Sequence, residues 1–154
     1  MFILTVEWLR KNGGELESAV AVDPIDRSPF IDEYFKLLQT ENERAVAALY
    51  VHALSTSVEA INVVKRLQPG FVFIDGDHSL KGAMVDHMLV RDCARIIVRH
   101  DIASQSCSET TQLWNILKEL ERRNFKFREF SEQYQSVDGS YLGIGVMQKL
   151  TPHD

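Results

Sequence analysis

The stretch Phe71-Val-Phe-Ile-Asp-Gly-Asp-His-Ser79 combines the clearest strand of the sequence with its most polar turn. Its apolar half follows the turn-forming pair Pro69-Gly70, and a short apolar run after such a turn is typical of a strand buried on both faces. Ser79 is a favourable helix N-cap, and it opens a helical pattern that continues to Val90. The sequence therefore predicts a strand, a polar loop and a helix in succession.

The same alternation of strand and helix runs along most of the chain. We predict strands over residues 18–22, 47–52, 71–75 and 95–98, and helices that end near residue 12 or span residues 31–38, 58–67, 79–90 and 110–123. Continuously apolar strands separated by helices are typical of a parallel sheet covered on both faces. Residues 125–130 and 141–147 predict an antiparallel pair. The expected fold is α/β: a three-layer, Rossmann-like sheet, mostly parallel, in a single domain over residues 1–154.

The composition excludes several classes of protein. The 154 residues include 17 basic and 22 acidic side chains, and the net charge of −5 lacks the basic excess typical of proteins that bind nucleic acid or anionic membranes. No stretch approaches the roughly 20 apolar residues of a membrane span, and the basic residues near the N-terminus follow the apolar run, opposite to the order in a signal peptide. Cys93 and Cys107 are expected to be free thiols. We expect a cytoplasmic protein with neither nucleic acid nor a membrane as a partner.

Polar side chains follow each of the four predicted parallel strands. They are Asp23, the Ser55-Thr-Ser57 segment, the Asp75–Ser79 loop and the pair His100-Asp101. In open parallel sheets, ligands bind at the carboxyl ends of the strands. A carboxylate in the position of Asp23 can accept hydrogen bonds from both hydroxyls of a ribose, although Asp-Pro also starts turns.

The last two of these groups predict a metal or proton-transfer site. Because Asp75 and the pair His100-Asp101 end strands that are expected to be neighbours, their side chains should converge. Carboxylates favour Mg²⁺ or Ca²⁺, whereas an imidazole in the set also suits Mn²⁺, iron or Zn²⁺. In the alternative interpretation Asp77 and Ser79 cap the following helix, and His100 packs or bonds to the backbone.

Three further side chains favour a structural interpretation. Trp8 and Trp114 occupy helical positions that are spaced for a core. His87 lies on a predicted helix, one turn after Ala83, and is expected to be half-buried.

The motif Ile74-Asp-Gly-Asp-His-Ser79, followed by Ile96-Ile-Val-Arg-His-Asp-Ile102, resembles the class I S-adenosylmethionine-dependent methyltransferases. The similarity is to the small-molecule O-methyltransferase branch that includes cephalosporin-hydroxylase-like and macrolide-sugar methyltransferases. The Leu113-Trp114 helix, the Gly143-Ile-Gly-Val strand and the strand Ala19-Val-Ala-Val-Asp-Pro-Ile25 also look like that branch.

The resemblance covers about residues 3–149 and implies a function for several strand-end residues. It implies methyl transfer from S-adenosylmethionine to a hydroxyl group of a small acceptor molecule. Asp23 would bind the ribose of S-adenosylmethionine, Ser55 and Ser57 would lie against its adenine, and Asp75 would also belong to the cofactor site.

The resemblance also implies a catalytic and metal site. Asp75, His100 and Asp101 occupy the positions where metal-dependent members hold Mg²⁺, which orients the acceptor hydroxyl and lowers its pKa. His78 is the implied general base, and Asp75 belongs to the same catalytic site.

The sequence departs from the family in ways that leave other functions open. The family's first strand and acidic-Gly-x-Gly loop should precede the first helix, at which this sequence begins, so we expect an N-terminally truncated sheet and a homo-oligomer. Either the chain is a fragment, or residues Met1–Val6 replace the missing strand, or a second subunit covers the gap. Asp92-Cys-Ala94 stands where the family has Pro-Gly-Gly.

One alternative is a non-catalytic methyltransferase-like remnant that serves as an oligomeric or binding module. Another is a metal-dependent enzyme such as a hydrolase, using Asp75, Asp77, His78 and Asp101.

Overall fold

A computed structural model describes residues 2–12, 16–26, 28–40, 47–131 and 143–151. Its elements, in chain order, are α1 (Phe2–Lys11), β1 (Ser18–Val22), α2 (Ser28–Thr40), β2 (Ala47–Val51), α3 (Val58–Leu67), β3 (Phe71–Ile74), α4 (Leu80–Val90), β4 (Ile96–His100), α5 (Ser108–Leu120), β5 (Phe125–Phe130) and β6 (Ile144–Lys149). Every predicted helix and strand is found, with shifts of a few residues at the ends. Residues 141 and 142 of the last predicted strand lie outside the described ranges. The chain divides into two compact units, Met1–Leu67 and Gln68–Asp154.

The first unit has a parallel pair of strands with helices on both faces. β1 and β2 pair in register from Ser18 with Ala47. Because alternate side chains of a strand point to opposite faces, each strand contributes to two apolar clusters. One cluster joins the strands to α1 and α2, and its buried members are Val6, Ala19, Ala21, Ile31, Tyr34, Phe35 and Leu38. The other joins them to α3, and its buried members are Val51, Ala60 and Val63.

The second unit is built on a mixed sheet with the strand order β3-β4-β6-β5. β3 and β4 are parallel, so their carboxyl ends lie at the same edge of the sheet. β6 runs antiparallel to both β4 and β5, which confirms the predicted antiparallel pair. The parallel pair is the part of this sheet that brings the polar loops after β3 and β4 together.

α5 packs on the β6 side of the sheet through Trp114. The Trp114 ring is only 1% exposed and meets the Phe127 ring edge-on, with centroids 5.3 Å apart. A Cβ atom added at Gly145 would stand 2.6 Å from Cη2 of Trp114. Trp114 Nε1 donates a hydrogen bond to Glu129 Oε1 at 2.7 Å, which satisfies the polar end of this buried side chain. The core position predicted for Trp114 is confirmed.

The prediction of one continuous sheet differs from the observed pairing. The described strands form two hydrogen-bonded sheets, one in each unit, although the parallel pairs β1–β2 and β3–β4 agree with the prediction. An apolar run indicates that a strand is buried on both faces, but it does not identify the neighbouring strand. The fold is α/β with mixed strand directions, and the single domain over residues 1–154 stays a prediction. Within the described ranges, no helix has both the length and the apolar character needed to cross a membrane.

Candidate functional site

The loop between β3 and α4 is shaped by its own side chains. Ser79 is the N-cap of α4, and its side chain accepts a hydrogen bond from the Gly82 N–H at 3.0 Å. Asp77 Oδ1 accepts one from the Ser79 N–H at 2.8 Å, and this bond holds the pKa of the Asp77 carboxyl below its ordinary value. The Asp77 side chain also fills the space that a Cβ atom at position 82 would need. The capping interpretation is therefore confirmed for Ser79, whereas Asp77 bonds to the cap residue itself.

Two carboxylates and two imidazoles converge beyond the carboxyl ends of β3 and β4. His78 Nε2 lies 2.9 Å from Asp101 Oδ2 and 3.7 Å from Asp75 Oδ1. His100 Nδ1 lies 3.1 Å from Asp101 Oδ1 and 3.5 Å from Asp75 Oδ1. The structure thus brings together four of the residues that the sequence predicts: Asp75, His78, His100 and Asp101. The carboxyl ends of a parallel strand pair achieve this convergence.

Asp101 occupies a constrained position at the centre of this group. It is only 3% exposed, and its φ angle of 62° lies in the left-handed region that Asp and Asn tolerate better than other non-glycine residues. The Thr110 hydroxyl donates to the Asp101 carbonyl at 3.0 Å, which ties this turn to the first turn of α5. The backbone therefore constrains the turn from which the buried carboxylate extends.

Two polar atoms of the group lack hydrogen bonds. Among the described residues, Asp101 Oδ1 and His100 Nδ1 are buried side-chain atoms without a hydrogen-bond partner, although the two atoms face each other at 3.1 Å. Buried polar groups are almost always satisfied in native proteins. An unsatisfied carboxylate oxygen beside an imidazole nitrogen is consistent with a site that takes a ligand.

Two overlapping sets of side chains offer donor atoms to a metal ion. In one set, donor atoms of Asp75, His100 and Asp101 all lie within 4.8 Å of one another, which is the set predicted from the sequence. In the other, His78, Asp101 and Cys107 meet the same condition. Cys107 was missed because its sequence neighbours give no indication of a site. Its position at the N-cap of α5 becomes relevant only once α5 packs against the end of β4.

The sequence-predicted residues of the first unit lie in turns beyond β1 and β2. Asp23 Oδ1 accepts a hydrogen bond from the Ile25 N–H at 2.8 Å, and the Ser57 hydroxyl caps α3 by accepting from the Ala60 N–H at 3.1 Å. Ser55 lies in the turn before this cap. The local structural roles of Asp23 and Ser57 are present, and their binding roles stay predictions.

Two aromatic side chains that the sequence did not single out hold the turn after Asp23. The Tyr50 hydroxyl donates to the Ile25 carbonyl at 2.6 Å, and His52 Nε2 lies 3.1 Å from the Pro24 carbonyl. The Tyr50 and His52 rings are stacked, with an interplanar angle of 6°. Their positions, two residues apart along one strand end, place both rings on the same side.

A buried histidine, His87, lies near the C-terminal end of α4. His87 is 0% exposed, and neither of its ring nitrogens has a hydrogen bond among the described residues. Burial, assisted by the charge of Arg99, lowers the pKa of His87 to about 4. Nearby Glu121 is also buried, but bonds from Asn124 and Arg91 outweigh that burial and hold its pKa below the ordinary value. His87 is therefore neutral at physiological pH, next to a carboxylate that is ionised.

The comparisons with known proteins agree with this fold. No known family model matches the sequence, and no curated protein matches it. The structure is similar to the O-methyltransferase from Bacillus cereus in complex with SAH, with a TM-score of 0.54 and 10% identity, covering 94% of this chain and 69% of that chain. It is also similar to the proposed O-methyltransferase from Klebsiella pneumoniae, with a TM-score of 0.54 and 11% identity, covering 90% of this chain and 63% of that chain. At these identities the likeness shows the fold: this chain has the α/β fold of those two structures.

Proposed function

We propose that this protein is an S-adenosylmethionine-dependent methyltransferase that acts on a hydroxyl group of a small molecule in the cytoplasm. The observation that carries the proposal is the convergence of Asp75, His78, His100 and Asp101 at the carboxyl ends of β3 and β4. This group offers imidazoles beside carboxylates, in a fold shared with O-methyltransferase structures.

In the proposed mechanism His78 is the general base. Because His78 Nε2 faces the Asp101 carboxylate at 2.9 Å, Nδ1 is the nitrogen that accepts the proton of the acceptor hydroxyl. The buried charge of Asp101 then stabilises the imidazolium, as carboxylates do for histidine bases. The His78 side chain is 46% exposed, so an acceptor can reach it from solvent. S-adenosylmethionine, when bound, supplies an electrophilic methyl group.

A divalent cation fits the donor chemistry beside this base. Asp75 and Asp101 offer carboxylate oxygens, which Mg²⁺ prefers, and His100 offers an imidazole whose Nδ1 makes no hydrogen bond in the described part of the chain. These three residues would hold the ion, which lowers the pKa of a coordinated hydroxyl. Assistance by Mg²⁺ is a separate part of the proposal, and the role of His78 as general base does not depend on it.

The cofactor is proposed to bind through Asp23, with Ser55 and Ser57 against its adenine and Asp75 on the reacting side. A carboxylate that accepts both ribose hydroxyls contributes charge-assisted hydrogen bonds, so its loss weakens binding by about 10- to 100-fold. We expect calorimetry to give micromolar binding of S-adenosylmethionine and of its demethylated product, and to give that weakening in Asp23→Asn.

Asp26→Asn is the matched control for this experiment, because it removes the same charge from the same turn. Affinity unchanged in Asp23→Asn, or equally reduced in both variants, would contradict the ribose role of Asp23. Absence of both binding heat and a thermal shift with either compound would exclude the methyltransferase activity of this chain.

We also propose that the protein is a homo-oligomer. Several large apolar side chains of the first unit are exposed, among them Leu4, Trp8, Phe30 and Leu37. Large exposed apolar side chains are typical of surfaces that associate when they form a contiguous patch. Light scattering should give a mass above that of one chain at micromolar concentration, and a monomer throughout that range would contradict the proposal.

A further inference from the structure

Three donor atoms of different chemistry meet at one side of the strand ends. An imidazole nitrogen of His78, a carboxylate oxygen of Asp101 and the thiol sulfur of Cys107 all lie within 4.8 Å of one another. His78 Nε2 and Asp101 Oδ2 are 2.9 Å apart. Around a tetrahedral Zn²⁺ ion the ligand atoms stand about 3.3–3.8 Å apart, given metal–ligand distances of about 2.0–2.3 Å. The observed separations, from 2.9 Å to at most 4.8 Å, bracket this range.

A second observation concerns Asp101, the buried carboxylate of this group. The Asp101 side chain is more than nine-tenths buried, and its Oδ1 makes no hydrogen bond to any described residue. The left-handed backbone at Asp101 and the bond from Thr110 hold the turn that carries the carboxylate. Two imidazoles, those of His78 and His100, face the buried Asp101 carboxylate, and a cation bound there would add a positive charge beside it.

The donor chemistry selects the class of metal. A thiolate and an imidazole suit borderline ions such as Zn²⁺ and Co²⁺, whereas Mg²⁺ favours oxygen ligands. The ligands come from three separate places, the β3–α4 loop, the end of β4 and the N-terminus of α5, so the folded unit is what assembles them. Three protein ligands leave a fourth position open, which is typical of reactive rather than purely structural zinc sites.

We propose that His78, Asp101 and Cys107 form a binding site for a borderline divalent metal ion of the Zn²⁺ class. This set shares Asp101 with the Asp75–His100–Asp101 set but requires a sulfur ligand, which that set lacks. Coordination would use Nε2 of His78 and leave Nδ1 available. The proposal does not rest on methyl transfer, because none of the three ligands belongs to the proposed ribose or adenine contacts.

Co²⁺ is the probe that tests this site, because a cobalt–thiolate bond gives a charge-transfer absorption band that oxygen and nitrogen ligands do not give. The chain contains only two cysteines, Cys93 and Cys107, so substituting each in turn assigns the band to one of them. We expect the reduced protein to bind one Co²⁺ with this band, and Zn²⁺ to displace it. Cys107→Ser should lose the band, whereas the matched control Cys93→Ser should keep it. Cys93 donates to the Val90 carbonyl at 3.3 Å and belongs to neither metal set.

Two further variants separate this site from its neighbour. Changes outside the coordination shell already cost metal sites about 10- to 100-fold in affinity, so His78→Ala should weaken Co²⁺ binding at least about tenfold. Asp75→Asn should keep the charge-transfer band. If Cys107→Ser fails to fold, as judged by circular dichroism, the Co²⁺ affinity of His78→Ala tests the site instead. The His78 ring is half-exposed, so its removal does not open the core.

Several results would overturn the proposal. They are no Co²⁺ binding, a band that survives Cys107→Ser, a band that disappears in Cys93→Ser, or binding that Asp75→Asn abolishes while His78→Ala leaves it intact. The last result would assign the ion to the oxygen-rich set instead. Binding of S-adenosylmethionine is measured separately by calorimetry without metal, so failure of either proposal is distinguishable from failure of the other.

Discussion

Asp101 shows how a single residue can combine backbone and side-chain constraints. Its left-handed φ angle is compatible with Asp, Asn or Gly, but of these three only Asp supplies a carboxylate to the surrounding imidazoles. The sequence predicts the His100-Asp101 pair as functional from its place after a strand. It does not predict the left-handed turn, whose carbonyl accepts a hydrogen bond from Thr110, nine positions later.

Other residues show where the helical pattern is an incomplete guide. Trp114 is buried as predicted, whereas the prediction of a core position for Trp8 is wrong, since its side chain is 63% exposed. His87 is fully buried rather than half-buried. Periodicity identifies the residues that share a helix face, but tertiary packing decides how completely that face is covered.

The burial of His87 predicts that acid destabilises the protein. The pKa of His87 is lowered from an unfolded value of about 6.5 to about 4, so between these pH values the unfolded chain binds more protons than the folded chain. The stabilisation is complete above about pH 6.5 and is lost as the pH falls toward 4. By this linkage the free energy of unfolding should decrease by about 2–3 kcal/mol between pH 7 and pH 4.5 on account of His87 alone.

Urea denaturation of His87→Gln at the same two pH values measures this contribution. The pH-dependent loss should be smaller in His87→Gln than in the natural sequence by about 2–3 kcal/mol. His52→Gln, a change at an exposed ring, is the control and should retain the full loss. Identical pH dependence in the natural protein and His87→Gln would show that another group titrates in this range.

At the scale of elements, the packing of α5 on β6 depends on the absence of a side chain at Gly145. A Cβ atom there would approach three ring carbons of Trp114 to between 2.6 and 2.8 Å, which is closer than real Cβ contacts. Because the indole is buried and bonded to Glu129, it has little room to move. Gly145→Ala should therefore lower the free energy of unfolding by about 1–3 kcal/mol, the range for overpacked cores.

Gly70→Ala is the matched control for the Gly145 substitution. At Gly70 the nearest atom to an added Cβ is Nε of the Arg95 side chain at 3.5 Å, an ordinary contact distance. Thermal or urea denaturation should show Gly145→Ala to be clearly the less stable of the two variants. Equal stabilities would mean that Trp114 shifts without cost.

The elements themselves were largely predictable because their signals are local. The apolar run of β3, the Ser79 cap of α4 and the apolar spacing of α2 each lie within a few residues. Strand partners were less predictable: the antiparallel pairing of β6 with β4 places a C-terminal strand inside the sheet of the second unit. No short-range pattern encodes such a distant pairing. Cys107 escaped prediction for the same reason, since its proximity to His78 exists only after α5 has packed.

At the scale of the whole molecule, the chain divides into two units that contain different parts of the proposed function. The proposed nucleoside contacts Asp23, Ser55 and Ser57 lie in Met1–Leu67, and the group of His78 and Asp101 lies in Gln68–Asp154. The substitutions Asp23→Asn and Cys107→Ser therefore lie in different units. The α/β class was predictable from the alternation of elements, whereas the division into two hydrogen-bonded sheets was not.

The positions of the two tryptophans have an optical consequence. Each unit contains one of them, Trp8 in the first and Trp114 in the second, and they differ in exposure from 63% to 1%. Fluorescence of the folded protein should therefore contain a red-shifted component that acrylamide quenches and a blue-shifted component that it does not reach. In Trp8→Phe the remaining emission reports the second unit alone. Comparing its denaturation midpoint with that of the whole protein shows, without any attached dye, whether the two units unfold as one domain.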